Sequence, residues 1–287
     1  MKRCLFYMVG YLCNNVCRYC FYTTGHLSRS TDSIRRASIE RLTQQIDLVG
    51  FDSVIITGGE PLHHAYKLET FELMRSLKQR GLRVILNTSG TKLDQEDMCR
   101  LADLSLDRID ISIDSHLAEI HDEQRGRFDE AMSSLLGLLD LGCNLATTSV
   151  VTDLNASTIK ETLAYFRHLG LEDCRIQPAY YPGQPFSQNV IQAIGKYGGL
   201  LNRVNLENPA MPDNAICQMG KGYFVSEPSG QITPCFHPPA VSLGNLLVDE
   251  AGQIAQNLGE YASKSLTHPC CFGGYCVSLF DIPSFWK

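Results

Sequence analysis

From residue 4 to about 180, short apolar runs alternate with longer amphipathic stretches. The runs are Leu5–Val9, Ser53–Thr57, Arg83–Asn87, Arg108–Asp114, Leu145–Val151 and Arg175–Tyr180. Several are apolar along most of their length, the pattern of parallel strands covered on both faces. The segments between and after them, 38–49, 66–80, 94–104, 128–141, 156–169 and 188–203, carry helical spacing. Gly81 and Gly142 stand where a helix ends on a left-handed residue, and Asn155 or Ser157 is placed to cap the fifth helix. Successive βα units predict an α/β protein with a parallel sheet and right-handed crossovers, either doubly wound or a partial barrel. Both arrangements gather ligand sites at the carboxyl ends of the strands. Beyond residue 205 the rhythm breaks at Pro209, Pro212, Pro228, Pro234, Pro238, Pro239 and Pro269. A boundary is expected there, with residues 1–205 forming the main domain and 206–287 a smaller, irregular one.

Composition narrows the class. At 287 residues with 44% hydrophobic and 20% charged content, the chain suits one large domain with an appendage. A net charge of −6 with no basic stripe speaks against nucleic acid as a partner. No stretch approaches the ~20 apolar residues of a membrane span. The N-terminal run lacks the small-residue cleavage site of a signal peptide. A cytoplasmic location is therefore expected, with no membrane partner.

Twelve cysteines change the picture. In a reducing compartment, clustered cysteines point to metal rather than disulfides. Three stand at 13, 17 and 20, and five more at 217, 235, 270, 271 and 276. Cys99, Cys143 and Cys174 lie in or beside apolar segments and are read as core residues. The first group, C-x3-C-x2-C, offers three thiols on a loop after the first strand. An iron–sulfur cluster normally takes four thiolates, so three leave one iron open to another ligand. A zinc site prefers paired C-x2-C units and closed tetrahedral ligation, and a disulfide would leave one cysteine over.

The other polar and glycine-rich signals fall after successive strands. They are Gly58-Gly59-Glu60-Pro61, Asn87-Thr88-Ser89-Gly90, Ser112 with Asp114, and His121-Asp122-x-x-Arg125-Gly126. The cysteine triad with Tyr19 before its last member, followed in order by Gly58-Gly59-Glu60-Pro61, the Ile111-Ser112-Ile113-Asp114 strand and the His121–Gly126 motif, resembles the radical S-adenosylmethionine (SAM) superfamily over residues 4 to 180. The resemblance implies a partial (β/α)6 barrel, with a [4Fe-4S] cluster held by Cys13, Cys17 and Cys20 and with SAM on the open iron. It implies that an electron from the cluster cleaves SAM to methionine and a 5′-deoxyadenosyl radical, which takes hydrogen from an unreactive C–H bond. Tyr19, Gly58, Gly59, Glu60, Pro61, Asn87, Ser112, Asp114 and Arg125 are the expected SAM-binding residues. The glycine turn suits the SAM ammonium, Tyr19 the adenine, Ser112 and Asp114 the ribose or carboxylate, and Arg125 the carboxylate. A flavodoxin- or ferredoxin-type protein would donate the electron. His63 and His64, following a loop proline, are read as exposed.

The second cysteine group is less regular. Cys217-x12-Gly230-x4-Cys235 suggests a hairpin that brings distant thiols together. With Cys270, Cys271 and Cys276 it resembles the SPASM and twitch extensions of this superfamily, in a version with one auxiliary [4Fe-4S] cluster. Cys217, Cys235, Cys270 and Cys276 are the expected ligands, with Cys270 and Cys271 able to exchange roles. Cys271 is then a candidate hydrogen-atom donor. The outcome would be epimerisation or two-electron oxidation of a small polar metabolite such as a sugar, aminoglycoside or nucleoside. Two alternatives stand beside this: a maturase of ribosomal peptides, and a non-catalytic iron–sulfur or zinc protein.

Overall fold

The computed structural model describes residues 2–20, 32–179, 186–197, 219–236 and 241–264. A single sheet runs through them. Six parallel strands follow one another in chain order: β1 (Cys4–Met8), β2 (Ser53–Thr57), β3 (Arg83–Thr88), β4 (Arg108–Ser112), β5 (Leu145–Val151) and β6 (Asp173–Pro178). Helices α1 (Ile39–Val49), α2 (Lys67–Gln79), α3 (Gln95–Leu104), α5 (Phe128–Asp140) and α6 (Ile159–His168) form the crossovers, and α7 (Gln188–Tyr197) follows β6. The strand order β6-β5-β4-β3-β2-β1 continues on the far side of β1 with β7 (Tyr223–Ser226), β8 (Gln231–Thr233) and β9 (Gly244–Asn245). The sheet is mostly parallel and open, as expected for a partial barrel. β7 pairs in parallel with β1, while β8 and β9 are antiparallel. The hairpin foreseen at Gly230 joins β7 to β8, with that glycine at φ 84°.

Alternation along the strands sorts the two faces. Leu5, Tyr7, Val54, Ile56, Val84, Leu86, Ile109 and Ile111 pack with the helices in the main core. Their neighbours Cys4, Met8, Ile55 and Ile85 turn inward and join Met219, Tyr223 and Val225 in a second cluster on the inner face.

Several local expectations are corrected. Neither Asn155 nor Ser157 caps α6, whose N-cap is Thr158. The Asn155 side chain instead donates to the carbonyls of Asp114 and Val150 and accepts from the Thr152 N–H. β4 stops at Ser112, two residues short, where the Asp114 N–H donates to the His121 ring and the Asp114 carboxylate takes the Val150 N–H. The last helix is described only to Tyr197. Cys99 is exposed, whereas Cys143 and Cys174 are partly buried beside the core. His63 is buried, while His64 is exposed as foreseen. Two helices were not foreseen. α4 (Ala118–Gln124) is too short to show periodicity, and α8 (Ala251–Lys264) lies in the region where prolines masked the pattern. No described helix is long and apolar enough to cross a membrane.

Candidate functional site

The glycine turn after β2 shapes the approach to the first cysteine. A side chain at Gly58 (φ 142°) would come within 2.5 Å of the Gly10 carbonyl, and one at Gly59 within 2.3 Å of the Leu12 carbonyl. Only glycine permits this contact. The N–H groups of Gly59 and Glu60 donate to the carbonyls of Gly10 and Leu12, each at 2.8 Å. The Tyr66 hydroxyl adds a bond to the Leu12 carbonyl at 2.8 Å. What the turn can still offer an ammonium is carbonyl oxygen, the acceptor such a group requires. The Glu60 carboxylate is buried and committed. It accepts from the Thr88 hydroxyl (2.6 Å), the Leu62 N–H (3.1 Å), and the N–H (2.8 Å) and hydroxyl (2.5 Å) of Ser89. It therefore locks the turn after β2 to the loop after β3. Pro61 accepts the Thr70 hydroxyl at 2.8 Å and anchors the turn on α2.

The three cysteines sit on this supported loop. Cys13 is exposed, Cys17 buried and Cys20 between them. Although part of Cys13 faces solvent, desolvation by the surrounding chain pushes its thiol up, and burial raises that of Cys17 to about 11, with the Arg125 guanidinium pulling both the other way. As free thiols they stay protonated at neutral pH, and a metal must displace those protons. The thiols interact with one another electrostatically. Yet among the described residues no three His, Cys, Asp or Glu side chains converge on the position of one metal ion.

Asp114, just beyond β4, is the hub of the opposite wall. It is fully buried, and its carboxylate accepts from the Val150 N–H (2.9 Å), from the Arg125 guanidinium through Nε and Nη2 (3.3 Å each), and from the Tyr19 hydroxyl. Arg125 also lies over the Tyr19 ring, 5.5 Å from its centroid. Burial raises the Tyr19 phenol, which stays protonated and donates. Arg125 and Asp114 thus face each other, and together they hold Tyr19 next to Cys20. His121 braces the hub from behind. Its Nδ1 accepts the Asp114 N–H at 3.1 Å, so Nε2 carries the proton towards the Gly126 carbonyl at 3.1 Å. Burial lowers its pKa, and the ring is neutral.

Ser112 and Asn87 lie between these walls. Ser112 ends β4 half-buried. Asn87 is in parallel register with Asp110, and its Oδ1 is buried with no partner among the described residues. A buried acceptor in that state calls for a donor from a ligand or water. Further down the inner face, Arg108, Asp110, Asp173 and Arg175 form a partly buried ionic quartet. Arg108 holds Asp110 at 2.6 and 3.1 Å and Asp173 at 3.1 Å, and Arg175 reaches the same two carboxylates at 3.2 and 2.5 Å.

Cys235 follows β8, half-buried beside Phe6, Phe236 and the inner apolar cluster. Cys217, Cys270, Cys271 and Cys276 lie outside the described residues. Reading the sequence missed Asn15, the buried link between the cysteine loop and the turn at Arg125-Gly126. Its position between two ligating cysteine candidates was the available signal. His121 belonged to a quoted motif but had been given no role.

Comparison with known proteins agrees with this geometry. The AdoMet-dependent heme synthase of Oleidesulfovibrio alaskensis is 28% identical over 161 residues, 55% of this chain and 40% of the relative. The subtilosin biosynthesis protein AlbA of Bacillus subtilis is 24% identical over 93% of this chain and 65% of its own length. This chain thus spans less than two thirds of either curated relative. Among solved structures, anSMEcpe with bound AdoMet and the Cp18Cys peptide superposes with a TM-score of 0.71 at 18% identity, covering 96% of this chain and 88% of the other. The model of the radical SAM superfamily matches residues 7–169, more than half of the sequence, and the chain belongs to that superfamily.

Proposed function

We propose that Cys13, Cys17 and Cys20 hold the [4Fe-4S] cluster that the superfamily implies, and that SAM lies between the glycine turn and the Asp114 wall. The observation that carries this is the cysteine loop itself, tied on both flanks to the carboxyl ends of β2, β3 and β4. Bound there, the cluster and SAM would supply a radical that takes hydrogen from an unactivated C–H bond. The carbonyls of the glycine turn accept from the SAM ammonium. The orphaned Oδ1 of Asn87 accepts from a hydroxyl or N–H of SAM, and Ser112 meets the ribose. Arg125, already paired with Asp114, adds its remaining field to the carboxylate side. Tyr19 offers its ring edge to the adenine, and Pro61 and Glu60 keep the turn closed.

For the second group we infer an auxiliary [4Fe-4S] cluster on Cys217, Cys235, Cys270 and Cys276, within a smaller unit spanning 206–287. Cys271 is left as a hydrogen-atom donor. The polar inner face beside Asn87 and the ionic quartet favours a polar substrate, and a small metabolite is the first reading. A peptide is the second, favoured by AlbA, a bacteriocin biosynthesis protein matched over 93% of this chain. The outcome in either case is epimerisation or two-electron oxidation, with a flavodoxin- or ferredoxin-type electron donor.

The test is anaerobic reconstitution with iron and sulfide, followed by reduction in the presence of SAM. Formation of 5′-deoxyadenosine is expected. A chain that binds its iron yet yields none would overturn the catalytic reading in favour of a non-catalytic iron–sulfur protein. Incubating candidate substrates in deuterated water then separates the outcomes, since solvent deuterium at carbon marks thiol quenching and a carbonyl product marks oxidation. A Cys271→Ala variant that still epimerises would exclude that thiol as donor.

A further inference from the structure

We propose that Asn15, between the first two cysteines, is a positioning residue that fixes the shape of the cluster loop before iron is bound. The inference rests on the reading of Cys13, Cys17 and Cys20 as cluster ligands. Asn15 is buried, while the next residue, Val16, is exposed. Its Nδ2 donates to the carbonyls of Arg125 (3.2 Å) and Gly126 (3.4 Å), and its Oδ1 accepts from the Thr91 hydroxyl at 3.1 Å. Beyond Thr91 the chain of bonds runs to the Ser89 hydroxyl (2.9 Å) and on to Glu60 (2.5 Å). Beyond Gly126 it runs through His121 to the backbone of Asp114. One carboxamide therefore joins the supports of both walls through the middle of the cysteine loop.

The chemistry demands an amide at this point. Two carbonyls need donors and one hydroxyl needs an acceptor, and asparagine supplies both kinds from one planar group. Aspartate would set a carboxylate against two carbonyl oxygens, and leucine would strip the Arg125 carbonyl of its Asn15 donor and leave Gly126 and Thr91 with only their bonds to His121 and Ser89. The other arcs of the loop have their own ties: the Arg18 N–H to the Gln124 carbonyl at 3.0 Å, and Tyr19 to Asp114. Asn15 ties the Cys13–Cys17 arc. Its backbone N–H also donates to the Cys13 sulfur at 3.4 Å. Moving Asn15 therefore alters a hydrogen bond to a ligand sulfur, one of the levers on cluster potential.

The test uses the full chain, reconstituted anaerobically and reduced. Its readouts are the EPR signal that changes on adding SAM, the midpoint potential of that signal, and its decay in excess chelator. Residues that orient ligands typically change metal affinity by about 10- to 100-fold, so Asn15→Leu is expected to accelerate the decay by that order and to shift the potential. Thr91→Val should accelerate it less, and Thr91→Ser, which keeps the hydroxyl, should restore slow decay. Wild-type decay and potential in Asn15→Leu would overturn the proposal. If that variant does not fold, unchanged decay in Thr91→Val overturns it instead. A wild-type chain that takes up no iron would sink the cluster reading, and this inference with it.

Discussion

The inner face of the sheet has two halves built on opposite principles. Under β1, β2, β3 and β7 it is apolar: Cys4, Met8, Ile55, Ile85, Met219, Tyr223 and Val225 pack together, with Phe6, Tyr11, Cys235 and Phe236 against them. Under β4 and β6 it is charged, with two arginines and two aspartates locked in a quartet in which Arg108, Asp110 and Arg175 are largely buried and Asp173 is partly exposed. The apolar half gains stability from burial alone, non-directionally. The charged half must first offset desolvation, so its stability depends on every partner being present. The sheet thus presents a dry wall on the side of Cys235 and a polar wall on the side of Asn87 and Ser112.

The largest effect should come from breaking the charged half singly. Asp110→Leu leaves Arg108 and Arg175 with Asp173 as their remaining carboxylate in the quartet, and a loss of about 3–5 kcal/mol is expected in anaerobic urea unfolding. On the apolar half, Ile85→Ala opens a cavity and should lose about 3 kcal/mol in the same measurement. Replacing the quartet as a whole, with Arg108→Met, Asp110→Leu, Asp173→Leu and Arg175→Met together, is expected to stay within about 1 kcal/mol of wild type. Should the fourfold variant fall as far as Asp110→Leu, the contrast between the halves would be false.

The smallest effects are in pH dependence, and they fall at opposite ends of the scale. His121, bracing the polar wall, has its folded pKa depressed by burial. Its contribution is intact above the ordinary histidine value of about 6.5 and is lost as pH falls through the folded value. His121→Gln should flatten the acid limb of the stability profile. Cys4, on the apolar half, is raised by burial to about 12 from about 9. Its contribution is intact below about 9 and is lost as pH climbs towards about 12, so Cys4→Ala should shallow the alkaline limb alone.

The halves also differ in how far the sequence revealed them. Ile55 and Ile85 sit in apolar runs whose alternation sorts faces without knowledge of any partner. The strands, the open parallel sheet, the cysteine loop and the glycine turn were legible for the same reason: each carries a local signal. The quartet was not. Arg108, Asp110 and Arg175 were visible as charges within strand candidates, but their cross-pairing reaches from β4 to β6 over the intervening β5, and Asp173 lay outside the strand expected there. Asp114 and Arg125 were legible as site residues, yet their commitment to one another was not, because it depends on the turn that α4 introduces. Asn15 was missed for a related reason. Its partners Thr91 and Arg125 lie far along the chain, and a polar residue in a loop has no periodicity to betray it.

The pairing of β7 with β1 has a consequence in time as well as in space. Cys4 lies beside Tyr223 in the sheet, so β1 acquires its second neighbour from a strand made far later than itself. Until then β1 is an edge strand with an open row of backbone groups, the kind of surface that invites wrong pairing. The cysteine loop hangs from the end of that strand. If Cys13, Cys17 and Cys20 hold the cluster proposed above, iron that reached the nascent chain early would meet them on a half-framed support, whereas iron that waited for Ser226 would find β1 paired on both sides.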